Sequence, residues 1–471
     1  MNLGKKTKIV CTIGPVTESK EKLTELVNAG MNVARMNFSH GDFPEHQTRY
    51  DTLQAVMKET GKLVAILQDL GGPKIRIGTF KNKTIMLHED STFTLTTDEI
   101  EGDETKVHIN YPELPKEVKK GTTIMLQDGT KRLEVQEVKG NDIITKVIVG
   151  GRLSDHKGVN VPGANLSVKS LTEKDRADVE FGIKNKVDFI ALSFVRRASD
   201  IVELREILDK TGSKAHIIAK IETPEAVDNL DAILAVTDGI MVARGDLAIE
   251  IPAEEVPLVQ KLIINKCNMA GKPVITATQM LESMVKNPVP TRAEVSDIAN
   301  AIIDGTDAIM LSEETTLGDF PIEAVKLMTK VAVRIEEEVY TRDTIAEYDE
   351  SKGVTDVVCQ AAVRATHSVG ASLIVALTRS GRTARMLARY RPAEPILALS
   401  DSPENVGKMM LSFGCYPMVV QTIKTVDEII KTVRTVTHDN QIIKAGEKVV
   451  ITAGMPFGTA PETNFILVET L

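Results

Sequence analysis

The sequence predicts an α/β protein with three parts: a (β/α)8 TIM barrel, a small β-barrel lid domain inserted into it, and a carboxy-terminal α/β domain. Three observations lead there. Eight short β-branched runs alternate with amphipathic stretches of helical period, one interval between runs is far too long, and a second strand–helix series follows a polar segment.

The runs lie at 8–13, 33–38, 63–68, 189–194, 216–221, 239–243, 273–277 and 307–311. Amphipathic stretches such as 19–29, 199–210 and 257–270 stand between them, so the spacing predicts parallel strands joined by crossover helices. About 120 residues separate the third run from the fourth, an excess of about 90, and that excess predicts an inserted domain. Its text is rich in Thr, Lys, Val and Gly, with alternating runs at 92–97, 122–126 and 143–149 that suit a small antiparallel barrel. Without it roughly 250 residues remain, the usual size of a (β/α)8 barrel. The polar, acidic segment 341–353 reads as a linker, and strands at 373–378, 396–400, 417–420, 448–452 and 465–469 build the last domain. The expected boundaries are 1–70 with 164–343 for the barrel, 71–163 for the insert and 344–471 for the final domain.

Composition narrows the function. At 42% hydrophobic and 26% charged the chain is neither disordered nor fibrous. With 57 basic against 66 acidic residues, net −9, it has no broad attraction for nucleic acid or an anionic membrane, so local basic groups must hold any anionic ligand. Cys11, Cys267, Cys359 and Cys415 stand far apart among apolar neighbours, which predicts buried thiols in a reducing cytoplasm. No apolar stretch reaches membrane-spanning length and the first residues lack a signal core, so neither export nor membrane insertion is expected.

In such a barrel the chemistry sits where strands end. Arg35, Asn37 and Ser39 share one face at the end of the second strand, and Asp69 ends the third. Lys220 and Glu222 end the fifth, Arg244, Gly245 and Asp246 follow the sixth, and Thr276 and Thr278 end the seventh. Glu222 and Asp246 can offer two oxygens to a hard divalent ion such as Mg²⁺. Either carboxylate alone reads more simply as a cap or ion-pair residue, but Lys220 beside them suits a site where a phosphoryl or enolate oxygen gathers charge. Arg35 and Arg76 can grip phosphate, although Arg76, at the entry to the insert, can equally pin a loop. Lys157, near the far end of the insert, is either a solvated lysine or a cation that a closing lid brings to a nucleotide.

The strings 8–15 (KIVCTIGP), 35–41 (RMNFSHG), 220–222 (KIE), 243–247 (ARGDL) and 277–284 (ATQMLESM) together resemble the pyruvate kinase family over nearly the whole chain. The resemblance implies transfer of the phosphoryl group of phosphoenolpyruvate to ADP, giving pyruvate and ATP as the final step of glycolysis. It assigns Lys220 to the phosphoryl and enolate charge, and Glu222 with Asp246 to Mg²⁺ or Mn²⁺. It further assigns the amides around Gly245 and Asp246 to the substrate carboxylate, Thr278 to a proton relay, Arg35 and Arg76 to phosphate, and Lys157, Pro15, His40 and Asp128 to the nucleotide cleft. It also implies a homotetramer, and no phosphohistidine-like module is expected beyond Leu471. Ala248 stands where the family usually has Gly, which tightens a turn.

Two finer expectations follow. The loop Thr378, Arg379, Ser380, Gly381, Arg382, Thr383 joins a strand to a helix, a geometry that suits a phosphate, and the family places its sugar-phosphate effector at the matching loop. Fructose 1,6-bisphosphate and ribose 5-phosphate stand as equal candidates, because 454–464 shows no second phosphate site. Lys74 occupies the position of a glutamate in the potassium-requiring branch, near the residues that match its monovalent-cation region, Asn37, Ser39, Asp69 and Leu70. A fixed ammonium there predicts that potassium is not required. Two rival readings fit less of the sequence: a metal-dependent lyase acting through a pyruvate enolate, which needs no nucleotide lid, and a sugar-phosphate-binding regulator, which needs no Lys220, Glu222, Asp246 and Thr278 set.

Overall fold

A computed structural model describes residues 3–164, 166–340, 353–457 and 460–471. Eight parallel strands close a barrel in the order Lys8–Thr12, Ala308–Leu311, Val274–Ala277, Gly239–Ala243, His216–Ile221, Phe189–Leu192, Ala65–Asp69 and Val33–Asn37. These are the eight expected runs: 216–221 and 239–243 keep their bounds, the third moves from 63–68 to 65–69, and the other five lose one or two residues. The helix Lys20–Ala29 starts at Ser19, whose side chain accepts from Lys22 N–H, and Ala198–Thr211 stops at Gly212, where φ is 72°. Most of the expected linker, 341–352, lies outside the described residues.

The barrel interior is filled by alternate residues of the strands, among them Val10, Val33, Ala65, Leu67, Phe189, Ala191, Ile218, Met241, Ile275 and Ala277. Continuing that alternation upward points Thr12, Arg35, Asp69, Ser193, Lys220 and Glu222 inward above this apolar plug. The mouth is therefore polar because the last inward position of most strands is polar.

The insert carries its own core, including Phe80, Phe93, Leu95, Leu126, Leu133 and Val147. It is the expected lid, a curled and mainly antiparallel sheet. Six strands form one sheet in the order Val159–Asn160, Thr123–Leu126, Lys131–Lys139, Asp142–Val149, Thr92–Thr96 and Lys106–His108, with Thr84–Leu87 and Gly151–Ser154 paired separately. One pair, Thr94 to Thr96 with Lys106 to His108, runs parallel. The insert rests on the barrel helix Arg244–Glu250, where Asn160 Nδ2 donates to Glu250 Oε1 at 2.8 Å.

The last domain is a five-stranded sheet in the order Cys415–Val419, Ile396–Ser400, Leu373–Leu377, Lys448–Ala453 and Phe465–Thr470, with only the final pair antiparallel. It docks on the amino-terminal end of the barrel through buried charge, a contact the sequence did not announce. Arg391 grips Asp307 with two nitrogens, at 2.8 and 3.0 Å, and also donates to Gly305 O. Asp307 further accepts from Phe413 N–H at 2.9 Å and Val274 N–H at 3.1 Å, so one carboxylate ties the last domain to the starts of two barrel strands.

Breaking such a buried pair from one side costs more than removing both charges. Arg391→Met is expected to lower unfolding stability by about 3–5 kcal/mol, and adding Asp307→Asn to recover a large part of it, in urea or thermal denaturation. Equal stability of Arg391→Met and the wild type would show that the pair does not hold the interface.

Candidate active site

At the barrel mouth four charged side chains from three strands form one chain of contacts. Arg35 Nε donates to Asp69 Oδ2 at 2.7 Å, and its Nη1 donates to Thr12 Oγ1 at 2.8 Å. Lys220 Nζ lies 3.3 Å from Asp69 Oδ1 and 3.0 Å from Glu222 Oε1, and donates to Ser193 Oγ at 2.7 Å. Asp69 and Glu222 are 0% and 1% exposed. Burial would push the Lys220 ammonium down, but Asp69 and Glu222 hold it well above its ordinary range, so at neutral pH it is a fixed positive charge and not a base. Burial works to raise Asp69, yet Lys220 and Arg35 keep its carboxyl below the usual range. Glu222 is raised by burial, with Lys220 opposing.

Glu222 Oε2 accepts from Phe194 N–H at 2.6 Å, and Glu222 Oε1 faces the Lys220 ammonium at 3.0 Å. Asp246 Oδ1 faces Lys74 Nζ at 3.4 Å, both groups partly exposed. Among the described residues no three His, Cys, Asp or Glu gather as a metal cluster. The two carboxylates Glu222 and Asp246 are the donor type that suits Mg²⁺ or Mn²⁺, hard ions that leave further positions to substrate oxygens and water.

Thr278 departs from the simple alternation. Ile275 and Ala277 face the barrel interior, so an unbroken strand would turn Thr278 away with Thr276. Thr278 and Gln279 instead have φ of 71° and 54°, left-handed values that are costly for a β-branched residue. Arg244 holds them there, with Nε on Ala277 O at 3.2 Å, Nη2 on Thr278 O at 2.6 Å and Nη1 on Asp297 at 2.7 Å. Thr278 Oγ1 consequently accepts from Gly245 N–H at 2.8 Å. Gly245 itself has neither a positive φ nor a tight neighbour, since the nearest atom to an added Cβ would be Thr278 Oγ1 at 3.6 Å, so its smallness leaves room above the helix start rather than relieving strain.

The insert's two connectors run side by side over this mouth. Arg76 pairs with Gly158 in an antiparallel bridge, and Arg76 Nη1 donates to His156 O at 3.2 Å, so Arg76 pins the two connectors together. Lys157 O accepts from Ile77 N–H at 3.0 Å, and its side chain is partly exposed. His40 is exposed and is lowered by partial burial and then by Arg76, Arg35 and Lys74, which places it beside those cations. Pro15 sits exposed in the turn after the first strand, and Asp128 in the hairpin whose Gly129 faces Ile249. Asn37 Oδ1 accepts from Ser39 N–H at 3.1 Å, Ser39 lies against Gly71, and Leu70 is buried. The recorded partner of the Lys74 ammonium is Asp246, not Asn37, Ser39 or Asp69.

The family model for the pyruvate kinase barrel domain matches residues 4–325, and that for the pyruvate kinase alpha/beta domain matches 356–469. The chain belongs to the pyruvate kinase family. A pyruvate kinase of Geobacillus stearothermophilus is 48% identical over 472 residues, covering 99% of this chain and 80% of the relative. One of Clostridium acetobutylicum is 44% identical over 470 residues, covering 99% of both. The activity is that of pyruvate kinase, a transferase acting on phosphoenolpyruvate and ADP, in a family that generally uses a divalent metal. No described helix is long and apolar enough to cross a membrane.

Three residues of this mouth escaped the sequence reading, Thr12, Ser193 and Phe194, and Arg244 was placed at a strand end without a role. Thr12 and Ser193 carried a signal, because they continue the inward series Val10, Thr12 and Phe189, Ala191, Ser193. Phe194, left-handed at φ 53°, carried none, since it acts through a backbone geometry that only the assembled loops impose, and the role of Arg244 depends on carbonyls that the fold brings to its guanidinium.

Proposed function

We propose that the phosphoryl group of phosphoenolpyruvate passes to ADP at this mouth, in residues assigned as follows, and that the enolpyruvate left behind is protonated there. The observation that carries the reading is Lys220, a buried ammonium kept charged by Asp69 and Glu222. A preorganised cation stabilises charge that grows on a phosphoryl in flight and on an enolate oxygen, at no cost of reorientation during the reaction. Arg35, braced by Thr12 and Asp69, turns its remaining N–H groups to phosphate. Glu222 and Asp246 would hold Mg²⁺ or Mn²⁺, which supplies charge neutralisation on substrate oxygens. A substrate carboxylate taking the amides of Gly245 and Asp246 displaces Thr278 Oγ1 from Gly245 N–H, and the hydroxyl, which also donates to Ala277 O at 2.6 Å, then turns from that carbonyl to relay a proton. Arg76, Lys157, His40, Pro15 and Asp128 serve the nucleotide, which favours phosphoryl transfer over a lyase. The domains run 1–70 with 164–343, 71–163 and 344–471, and the enzyme works as a cytoplasmic homotetramer. Four buried, unpaired cysteines support the reducing compartment.

Formation of pyruvate from phosphoenolpyruvate and ADP with Mg²⁺ is the direct test. Lys220→Met is expected to keep the fold and divalent-ion binding while losing on the order of 100-fold or more in turnover, and Thr278→Ala to impair chiefly the protonation of the enolate. Near-normal turnover of Lys220→Met would overturn the assignment.

The enzyme needs no potassium in this reading. Support comes from charge: Asp69, the carboxylate of the monovalent-cation region, already faces Arg35 and Lys220, and Lys74 turns into the mouth toward Asp246 and not out to solvent. Turnover with a bulky alkylammonium as the only monovalent cation should equal turnover in potassium, and Lys74→Glu should create a potassium requirement. Wild-type enzyme that stays inactive until potassium is added would refute it.

A phosphorylated sugar activates the enzyme through the loop 378–383. The loop borders a cavity of about 480 Å³ with Thr422, Gly454 and Thr463, Gly381 takes φ 79°, and Arg379 lies exposed, 3.7 Å from Asp401. Thr378→Ala combined with Ser380→Ala should abolish the response to fructose 1,6-bisphosphate or ribose 5-phosphate in steady-state kinetics; an unaltered response to both would leave the loop a mere helix cap.

A further inference from the structure

Ser193 is the neutral contact of Lys220. Its hydroxyl is oriented, because it donates to Leu70 O at 2.7 Å and so turns its lone pairs to Lys220 Nζ, also at 2.7 Å. The side chain is 1% exposed. The other two contacts of Lys220 are carboxylates that serve elsewhere, Asp69 with Arg35 and Glu222 with the divalent-ion position. A lysine stem has four rotatable bonds, so a carboxylate that turns to another cation no longer fixes where the ammonium stands. Ser193 holds the ammonium without reducing its charge.

The same residue touches the first connector to the insert. Leu70 O belongs to that connector, and Gly72 packs so closely that a Cβ there would stand 2.8 Å from Ser193 Cβ and 3.0 Å from Phe194 Cδ2. Gly72 also has φ 66° and donates its N–H to Asp175 Oδ1 at 3.0 Å. The connector backbone thus lies between an anchoring carboxylate and Ser193, and it ends in Lys74, which faces Asp246.

We propose that Ser193 is a positioning residue that sets the Lys220 ammonium and links it to the connector 70–74, so that displacement of the insert is transmitted to the reacting end of Lys220. This rests on the assignment of Lys220 above. Ser193→Ala should lower kcat by about 10- to 100-fold, the range for a hydrogen bond to a charged group, with KM for phosphoenolpyruvate and Mn²⁺ affinity within about 2-fold of wild type. Ser193→Cys, which fills the space but accepts poorly, should match the alanine variant; if packing alone mattered it would match the wild type. Gly72→Ala should lower kcat on its own but add little to Ser193→Ala, since the clash with the Cβ at 193 remains but the hydroxyl that passes the displacement on to Lys220 is gone. Lys220→Met, assayed in parallel, separates the two assignments. A silent Lys220→Met would undo the reading of Lys220, whereas a dead Lys220→Met with normal kcat in both Ser193 variants would overturn the role of Ser193. Additive losses from Gly72→Ala and Ser193→Ala would overturn the link to the connector.

Discussion

Everything at the barrel mouth depends on keeping an ammonium charged where water is scarce. Taking a lone charge out of water costs several kcal/mol, so Lys220 is tolerable inside only because Asp69 and Glu222 come with it. Those carboxylates are buried in turn, and Asp69 needs Arg35 as a second cation. The chain Arg35, Asp69, Lys220, Glu222 is thus a single electrostatic unit. Phe194 N–H and the Thr12 hydroxyl take up hydrogen-bonding capacity that its charges leave over.

That unit also explains why strain collects around it. Phe194, Thr278 and Gln279 adopt left-handed conformations that most residues avoid, each costing of order 1–3 kcal/mol. Phe194 repays it by aiming an amide at Glu222, and Thr278 by meeting Gly245 N–H under the grip of Arg244. The apolar plug below and the eight-stranded ring around it are rigid enough to hold these geometries.

A second buried pair does comparable work at the opposite end of the barrel. Arg391 and Asp307 join the last domain to strands whose far ends reach the mouth, since Val274 and Ala308 begin the strands that lead to Thr278 and Ser312. The insert, by contrast, keeps a core of its own and meets the barrel through two connectors and a few contacts on the helix Arg244–Glu250. Its attachment is light where that of the last domain is deep.

The sequence by itself determined the architecture and the polar mouth. Both rest on local, periodic signals: β-branched runs at regular spacing mark strands, and a period of two along each strand tells which residue points inward at its end. Arg35, Asp69, Lys220 and Glu222 were legible for that reason, and Thr12 and Ser193 were readable by the same rule. Thr278 drew notice from its place at a strand end, but its direction was not legible, because two left-handed residues break the alternation at that point. The sheet of the insert was legible as strands and not as an arrangement, since pairing order is fixed by long-range registers that leave no periodic trace. Only the tertiary structure decided that Lys74 turns to Asp246, that Arg244 clamps the Thr278 backbone and that Arg391 finds Asp307. Each of these joins residues far apart along the chain. The physical reason is common to all three: a long charged side chain follows whichever opposite charge or carbonyl the fold brings within its reach, and no local pattern records where that partner will be.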